Sequence, residues 1–218
     1  MSRMNQDAMA DVLRSQIEAL RASTSDEAEV LSDGTLLIGK MPPRRDGLFR
    51  EAYRHVIYAP LMPDEIAHLE QLVGRKLPEP LVELYRQVNG LSLFYGSFSI
   101  RGLRSNYNRR DAARQPVSLE YGNAIEIPKG EGDAERVVFG FYAIDDGYEV
   151  SILPRLGNIV ELTPRRRNAP RLAQWNSISV FLLSEIAKLS REFEKVGSAC
   201  DPLNVLPAPV SGASPLNS

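Results

Sequence analysis

Apolar residues recur at three- and four-residue steps in five stretches of the chain and crowd into short β-favouring runs in most of the others. This change of period divides the chain into helices and strands. Residues 62–90 carry the best-punctuated pattern. Pro63 suits the first helical position, Asp64 and Glu65 put negative charge into the first turn, and Gly74 supplies a left-handed stop. Ile66, Leu69, Leu72 and Val73 then line one face of a three-turn helix that faces a core. A second helix opens at Pro78 and Pro80, and Leu81, Leu84, Tyr85 and Val88 make its stripe. Asn89-Gly90 reads as its cap rather than a hairpin turn, because the preceding period is helical.

Upstream, Met9, Leu13, Ile17 and Leu20 form the stripe of a helix over residues 8–22, broken by the polar run 23–26. Asp33-Gly34 predicts a hairpin with arms 28–31 and 35–40. Residues 41–47, rich in Pro and Arg, read as a linker, and the spacing of Phe49, Tyr53, Val56 and Ile57 predicts another helix, with His55 to Tyr58 equally readable as extended before Pro60. Downstream, runs 91–95 and 98–101 predict strands bent at Gly96, with Phe94, Tyr95 and Phe98 mostly in the core. Extended segments over 117–121 and 124–127 follow a long basic loop, 102–116. The runs 136–144 and 148–153 flank Asp145-Asp146-Gly147 as a hairpin, and 158–163 adds a third strand to an antiparallel meander. After a second basic loop, 164–171, Ser177 caps a last helix reaching to about residue 195, with Ile178, Phe181, Leu182, Ile186, Leu189 and Phe193 on its stripe. Trp175 staples its start. The order implies an α+β fold: a mostly antiparallel twisted sheet with helices packed on one side.

Composition narrows the function. With 218 residues and 43% hydrophobic content, one core plus extensions is the expected organisation. These are an N-terminal extension over 1–57, a domain over 58–197 and a disordered tail over 198–218 rich in Pro, Ser, Ala and Gly. A net charge of −2 gives no drive toward nucleic acid or anionic lipid. The single Cys200 fits a reducing compartment, and no apolar run is long enough for a signal sequence or a membrane span, so a cytoplasmic setting is expected.

Catalytic chemistry finds little support. His55 and His68 stand thirteen positions apart and read as packing or surface residues; with one cysteine they assemble neither a zinc cluster nor a nucleophile pair. Phosphate-cradling glycine motifs are missing, and Gly130-Glu131-Gly132 reads as a surface turn. Asp145 and Asp146 with Glu149 have the letters of a hard-cation site, but a turn that needs Asp-Gly explains them as well. No cofactor and no metal are expected.

Charge is distributed unevenly. Residues 116–150 hold eight Asp or Glu against Lys129 and Arg136, whereas 102–115 and 164–171 are arginine-rich. Such polarity suits a protein partner, the acidic side meeting a basic groove and the arginines meeting carboxylates. The candidate partner-binding residues are therefore Arg104, Tyr107, Arg109, Arg110, Asp145, Asp146, Tyr148 and Glu149.

Glu65-Ile66, Leu69-Glu70, Gly74, Leu77-Pro78, Leu81, Tyr85 and Asn89-Gly90 together resemble the signature of the SUKH superfamily, the fungal cell-wall-assembly regulator and bacterial immunity-protein group. Phe139-Gly140 before Asp145-Asp146-Gly147-Tyr148 is similar to that family's central hairpin, and Ser177-Ile178 with Phe181-Leu182 to its terminal helix. The resemblance covers about residues 58–196. Two features depart from it: Ile178 stands where the family usually has an aromatic, and more than fifty residues precede the core. It implies a SUKH-like fold and a non-enzymatic scaffold that binds a protein. In bacteria that partner is mostly a toxin, often a nuclease; in fungi the scaffold is a regulatory hub. No nucleic-acid or membrane partner is implied.

Overall fold

A computed structural model describes residues 3–22, 28–40, 52–107, 114–125, 136–143, 147–165 and 171–196. The linker 41–47, the acidic loop 129–135 and the tail 198–218 lie outside the described residues.

Helix α1 spans Arg3–Ala22, and its stripe buries Met9, Leu13 and Leu20. The hairpin of β1 (Ala28–Val30) and β2 (Leu36–Lys40) forms as its turn chemistry dictates. Asp33 Oδ1 accepts from the Thr35 N–H at 2.8 Å, while Gly34 takes a φ of 92° that a side chain would resist.

The next element corrects the sequence reading. Tyr53, Val56 and Ile57 do not belong to a helix; Tyr53–Ile57 is strand β3, antiparallel to β2 on one side and β4 on the other. Helical spacing in so short a stretch also fits a strand buried on both faces. Ile57 enters the main core from one face, and Val56 joins Leu37, Tyr53 and Tyr58 in a small cluster on the other.

Helix α2 (Pro63–Val73) has the expected start, with the Glu65 carboxylate accepting the Met62 N–H at 2.8 Å, and the expected stop at Gly74, φ 75°. Helix α3 (Glu79–Tyr85) is shorter than predicted, because Asn89-Gly90 is not its cap. The Asn89 side chain bonds to a distant loop instead, and Gly90, at φ 90°, lets the chain pass under β5, where a Cβ would stand 2.5 Å from the Ile100 carbonyl oxygen. Strands β4 (Leu91–Leu93) and β5 (Phe98–Ile100) follow. They are joined by a tight turn that holds Phe94 and Tyr95 at φ 52° and 60°.

Residues 117–125 are a second correction. Rather than two extended segments, Ser118 makes one isolated bridge to Gly102 and the chain then coils into a π-turn, Tyr121–Ile125. Strand β5 has diverged from β6 here, and the Asn123 amide occupies the ladder position. Strands β6 (Val137–Tyr142), β7 (Tyr148–Leu153) and β8 (Ile159–Pro164) form the predicted meander. An additional short strand, β9 (Ala173–Trp175), closes that edge. Helix α4 spans Ile178–Val196.

Among the described residues, nine strands therefore make one antiparallel sheet in sequence order, and four helices bury their stripes in a common core over one face. The fold is α+β, as expected. Strands β1–β3 belong to the same sheet as β4–β9, and α1 lies against α3 and α4. Phe181 of α4 sits at the centre of the core, with Trp175, Phe98 and Phe139 at 4.9, 5.8 and 6.0 Å. Ile178 is fully buried, so an aliphatic side chain fills the position.

Candidate protein-interaction surface

Strand alternation sends Val150, Ile152, Val160 and Leu162 into the helix-covered core and Glu149, Ser151, Glu161 and Thr163 to the other face. No helix covers that second face among the described residues. A cross-strand row runs over it through Ser92, Ser99, Phe141, Glu149 and Thr163, each paired in register with the next. Charges are matched along it. Glu149 lies 3.8 Å from Arg136 and 3.6 Å from Arg165, and Glu161 lies 2.7 Å from Arg171. Arg136 also donates to the Ser151 and Thr163 hydroxyls at 2.7 Å each, so it is spread across three strands.

At one end of this face stands the buried Arg101. Its guanidinium lies 4.9 Å above the Phe141 ring and donates to the Ser118 carbonyl at 3.2 Å. It fills the space where a Cβ at position 122 would sit, 2.8 Å from the Arg101 Cζ. Gly122 is therefore what allows the π-turn to close over the guanidinium. The same turn is fixed by Asn123, whose amide donates to Val138 and Leu119 carbonyls and accepts from the Val138 N–H, all at 2.8 Å.

The segment 102–107 is fixed in the same way. The Asn89 amide accepts from the Leu103 N–H at 2.7 Å and donates to its carbonyl at 2.9 Å, imitating a strand partner. Gln115 then accepts from the Ser105 N–H and hydroxyl at 3.1 and 2.9 Å, tying the two arms of the loop together. Beyond that tie, the Arg104 guanidinium lies 5.0 Å over the Tyr107 ring and donates to the Asn106 carbonyl. Burial pushes the Tyr58 phenol well above its ordinary pKa, and the neighbouring Arg104 charge pulls the other way.

The predicted partner-binding residues thus separate into three groups. Arg104 and Tyr107 come together, with Tyr107 66% exposed. Tyr148 is half-buried against the core, and Glu149 is engaged by Arg136 and Arg165. Arg109, Arg110, Asp145 and Asp146 lie outside the described residues. Sequence reasoning passed over Val117, Tyr121 and Ile125, which are exposed on the neighbouring arm, and over the anchoring roles of Asn89, Arg101 and Asn123. The available signal was Tyr121-Gly122-Asn123, in which Gly and Asn mark unusual backbone.

The two histidines do not meet on this surface. His55 is buried in β3 and accepts from the Phe94 N–H, while His68 lies on α2. No group of three or more His, Cys, Asp or Glu suited to a metal ion occurs among the described residues. None of the described helices is long and apolar enough to cross a membrane.

Comparison with curated proteins finds no match. A family model does match, over residues 60–184, more than half the chain and the whole stretch from the approach to α2 into the first turns of α4, and the chain belongs to the SMI1 / KNR4 family (SUKH-1).

Proposed function

We propose that this protein is an immunity protein, a non-catalytic domain that neutralises a bacterial toxin by stoichiometric occlusion. Members of its family bind partner proteins. The observation that carries the reading is the second face of the sheet, over which no described helix packs and where backbone ladders and the Arg136, Arg165 and Arg171 ion pairs hold polar side chains in fixed positions. Such a face needs little ordering on association, and matched charges at its rim select a partner by complementarity. A contact of standard size, about 1,600 Å² in total, would span several strands and the loop carrying Arg104 and Tyr107. Arg109 and Arg110, from the same arginine-rich run, and Asp145, Asp146, Tyr148 and Glu149, at the β6–β7 hairpin, are the further contacts proposed. The partner is a toxin, a nuclease being the class whose basic cleft best matches the acidic run 116–150. No cofactor takes part, and the protein acts in the cytoplasm.

Co-expression tests the reading. A toxin encoded beside this chain is expected to kill cells alone, to be harmless with it, and to form a complex of fixed stoichiometry. Equal killing with and without the chain, or no such complex, would overturn it. A constitutive cellular protein recovered instead would indicate a regulatory scaffold.

A further inference from the structure

The two long helices, α1 and α4, present solvent faces of different kinds. On α1 the exposed positions include Asp11, Arg14, Glu18 and Arg21, with Asp11 and Arg14 paired at 3.6 Å. A solvated helix carries its charges outward in this way. On the first half of α4 the pattern is reversed. Glu185 and Lys188 turn inward, with side chains 5% and 12% exposed, and pair at 3.3 Å. Val180, Leu183, Ser184 and Ala187 are exposed instead, Val180 at 50% and Leu183 at 40%. At about 100° per residue these four positions fall within an arc of about 100°, so they form one stripe along the helix.

The same stripe runs on through Arg191 and Glu194, both exposed. Arg191 folds back along its own helix, its Nε donating to the Ala187 carbonyl at 3.3 Å, and its stem extends the apolar surface. Glu194 makes that end negative. At the other end Ser177 Oγ accepts the Val180 N–H at 3.2 Å, and the first turn holds no acidic residue, so the positive end of the helix dipole has no countercharge from its own first turn. Helix α1 flanks the stripe at Ser179, whose hydroxyl bonds to Met9 at 3.5 Å, and leaves Val180 and Leu183 exposed.

We infer that this stripe is a contact between two copies of the chain, formed by an antiparallel pair of α4 helices about a twofold axis. A stripe that is uncharged in its middle, negative at one end and dipole-positive at the other matches a second copy of itself running in the opposite direction. With the axis passing between residues 185 and 186, Ala187 meets Ser184 of the second copy, and two such small side chains let helix axes approach to about 8 Å. Leu183 packs beside that crossing, the Arg191 stem covers Val180 of the second copy, and Glu194 stands beside its Ser177. From Val180 to Glu194 the stripe is about 21 Å long, which places the contact at the small end of specific interfaces and makes the dimer a weak one. The stripe belongs to the helix-bearing side of the sheet, so pairing leaves the polar face of the sheet available to a partner, and the inference is independent of the immunity reading.

Sedimentation equilibrium of the full chain between about 10 μM and 1 mM tests it. A monomer–dimer equilibrium with a Kd of about 0.1 mM is expected, with no larger species, because a twofold contact closes on itself. Leu183→Glu brings two carboxylates to the crossing and should weaken association about tenfold or more. Ser177→Asp keeps the N-cap but sets a carboxylate against Glu194 of the second copy; it should weaken association about fivefold, and adding Glu194→Lys should restore it. The control Leu156→Ser alters an exposed residue of the β7–β8 turn and should change nothing. Leu183 and Glu194 are exposed and Asp caps a helix as well as Ser, so the variants fold, and circular dichroism melts verify this. A chain that stays monomeric at 1 mM, a dimer indifferent to Leu183→Glu, growth beyond the dimer, or charge variants that do not compensate would each overturn the inference. Loss of toxin rescue would remove the immunity reading and leave these measurements as they are.

Discussion

Lowering the pH from 7.5 to 5 should destabilise this protein through His55 by an amount the structure allows to be calculated. The imidazole is fully buried in β3 between the sheet and the Phe94 ring, whose centroid lies 4.8 Å away edge-on. Its Nδ1 accepts the Phe94 N–H at 3.3 Å, so the proton sits on Nε2, for which no hydrogen bond is found among the described residues. Burial first, and the adjacent Arg54 charge second, lower the pKa from 6.5 to about 3. Between these two values the unfolded chain holds a proton that the folded chain refuses. Stability is therefore fully present above about pH 6.5 and falls with decreasing pH by about 1.4 kcal/mol per unit until about pH 3. At pH 5 the loss is about 2 kcal/mol, a large fraction of a typical domain's stability. Urea unfolding followed by fluorescence of the single tryptophan, Trp175, which rests against Phe181, reports the change. Carboxylates also titrate in this range, so the comparison is with His55→Asn, whose Oδ1 can still accept from Phe94. Wild type should lose about 2 kcal/mol more than the variant between pH 7.5 and 5. Equal losses would show that His55 is not held neutral and would refute the reasoning.

Four further perturbations separate structural from surface roles. Leu13→Ala empties a buried position between α1 and the core and should cost about 2–5 kcal/mol in urea unfolding, which would make the N-terminal helix integral to the fold. Gly122→Ala forces a Cβ to 2.8 Å from the Arg101 Cζ and should cost about 1–3 kcal/mol, with faster amide exchange along the π-turn. Glu149→Gln, by contrast, disturbs ion pairs with half-exposed arginines and should change stability by about 1 kcal/mol or less. Glu185→Ala should cost about 3 kcal/mol or more in the same assay, because it strands the buried Tyr142 hydroxyl at 2.5 Å and the Lys188 ammonium at 3.3 Å.

The elements legible from sequence are those whose signals are local. Helix α2 carries its own cap, stripe and stop, and the β1–β2 and β6–β8 runs carry turn chemistry and alternation, so neighbouring residues alone specify them. Strand β3 was not legible because its partners lie far off in sequence: β2 is separated by a linker and β4 by two helices. Tyr53–Ile57 is apolar toward both faces, and that erases the alternation that would have announced a strand. Asn89 failed for a related reason. Asn-Gly is a local turn signal, yet here the side chain serves Leu103, fourteen residues on, and only Gly90 acts locally. The arginine-rich character of the loop could be read from composition. Which arginine is buried could not, since Arg101 and Arg104 look alike until the π-turn closes over the first and leaves the second beside Tyr107.

That difference bears on how the surface could work. Asn89 and Asn123 each donate and accept with a peptide group of another segment, replacing backbone partners where the strands diverge. A loop stitched in this way keeps its exposed tyrosines in place before any partner arrives. Binding then spends little free energy on ordering, of which each mobile side chain otherwise takes about 0.5–1.5 kcal/mol. Arg101 contributes from beneath: its guanidinium fills the space under Gly122 and bonds to Ser118, so the charge braces the π-turn rather than meeting solvent. The side chains that make the loop firm are thus distinct from those that it exposes. Asn89, Arg101, Gly122 and Asn123 hold the scaffold, so the exposed Tyr107, Tyr121 and Ile125 can vary without altering the fold.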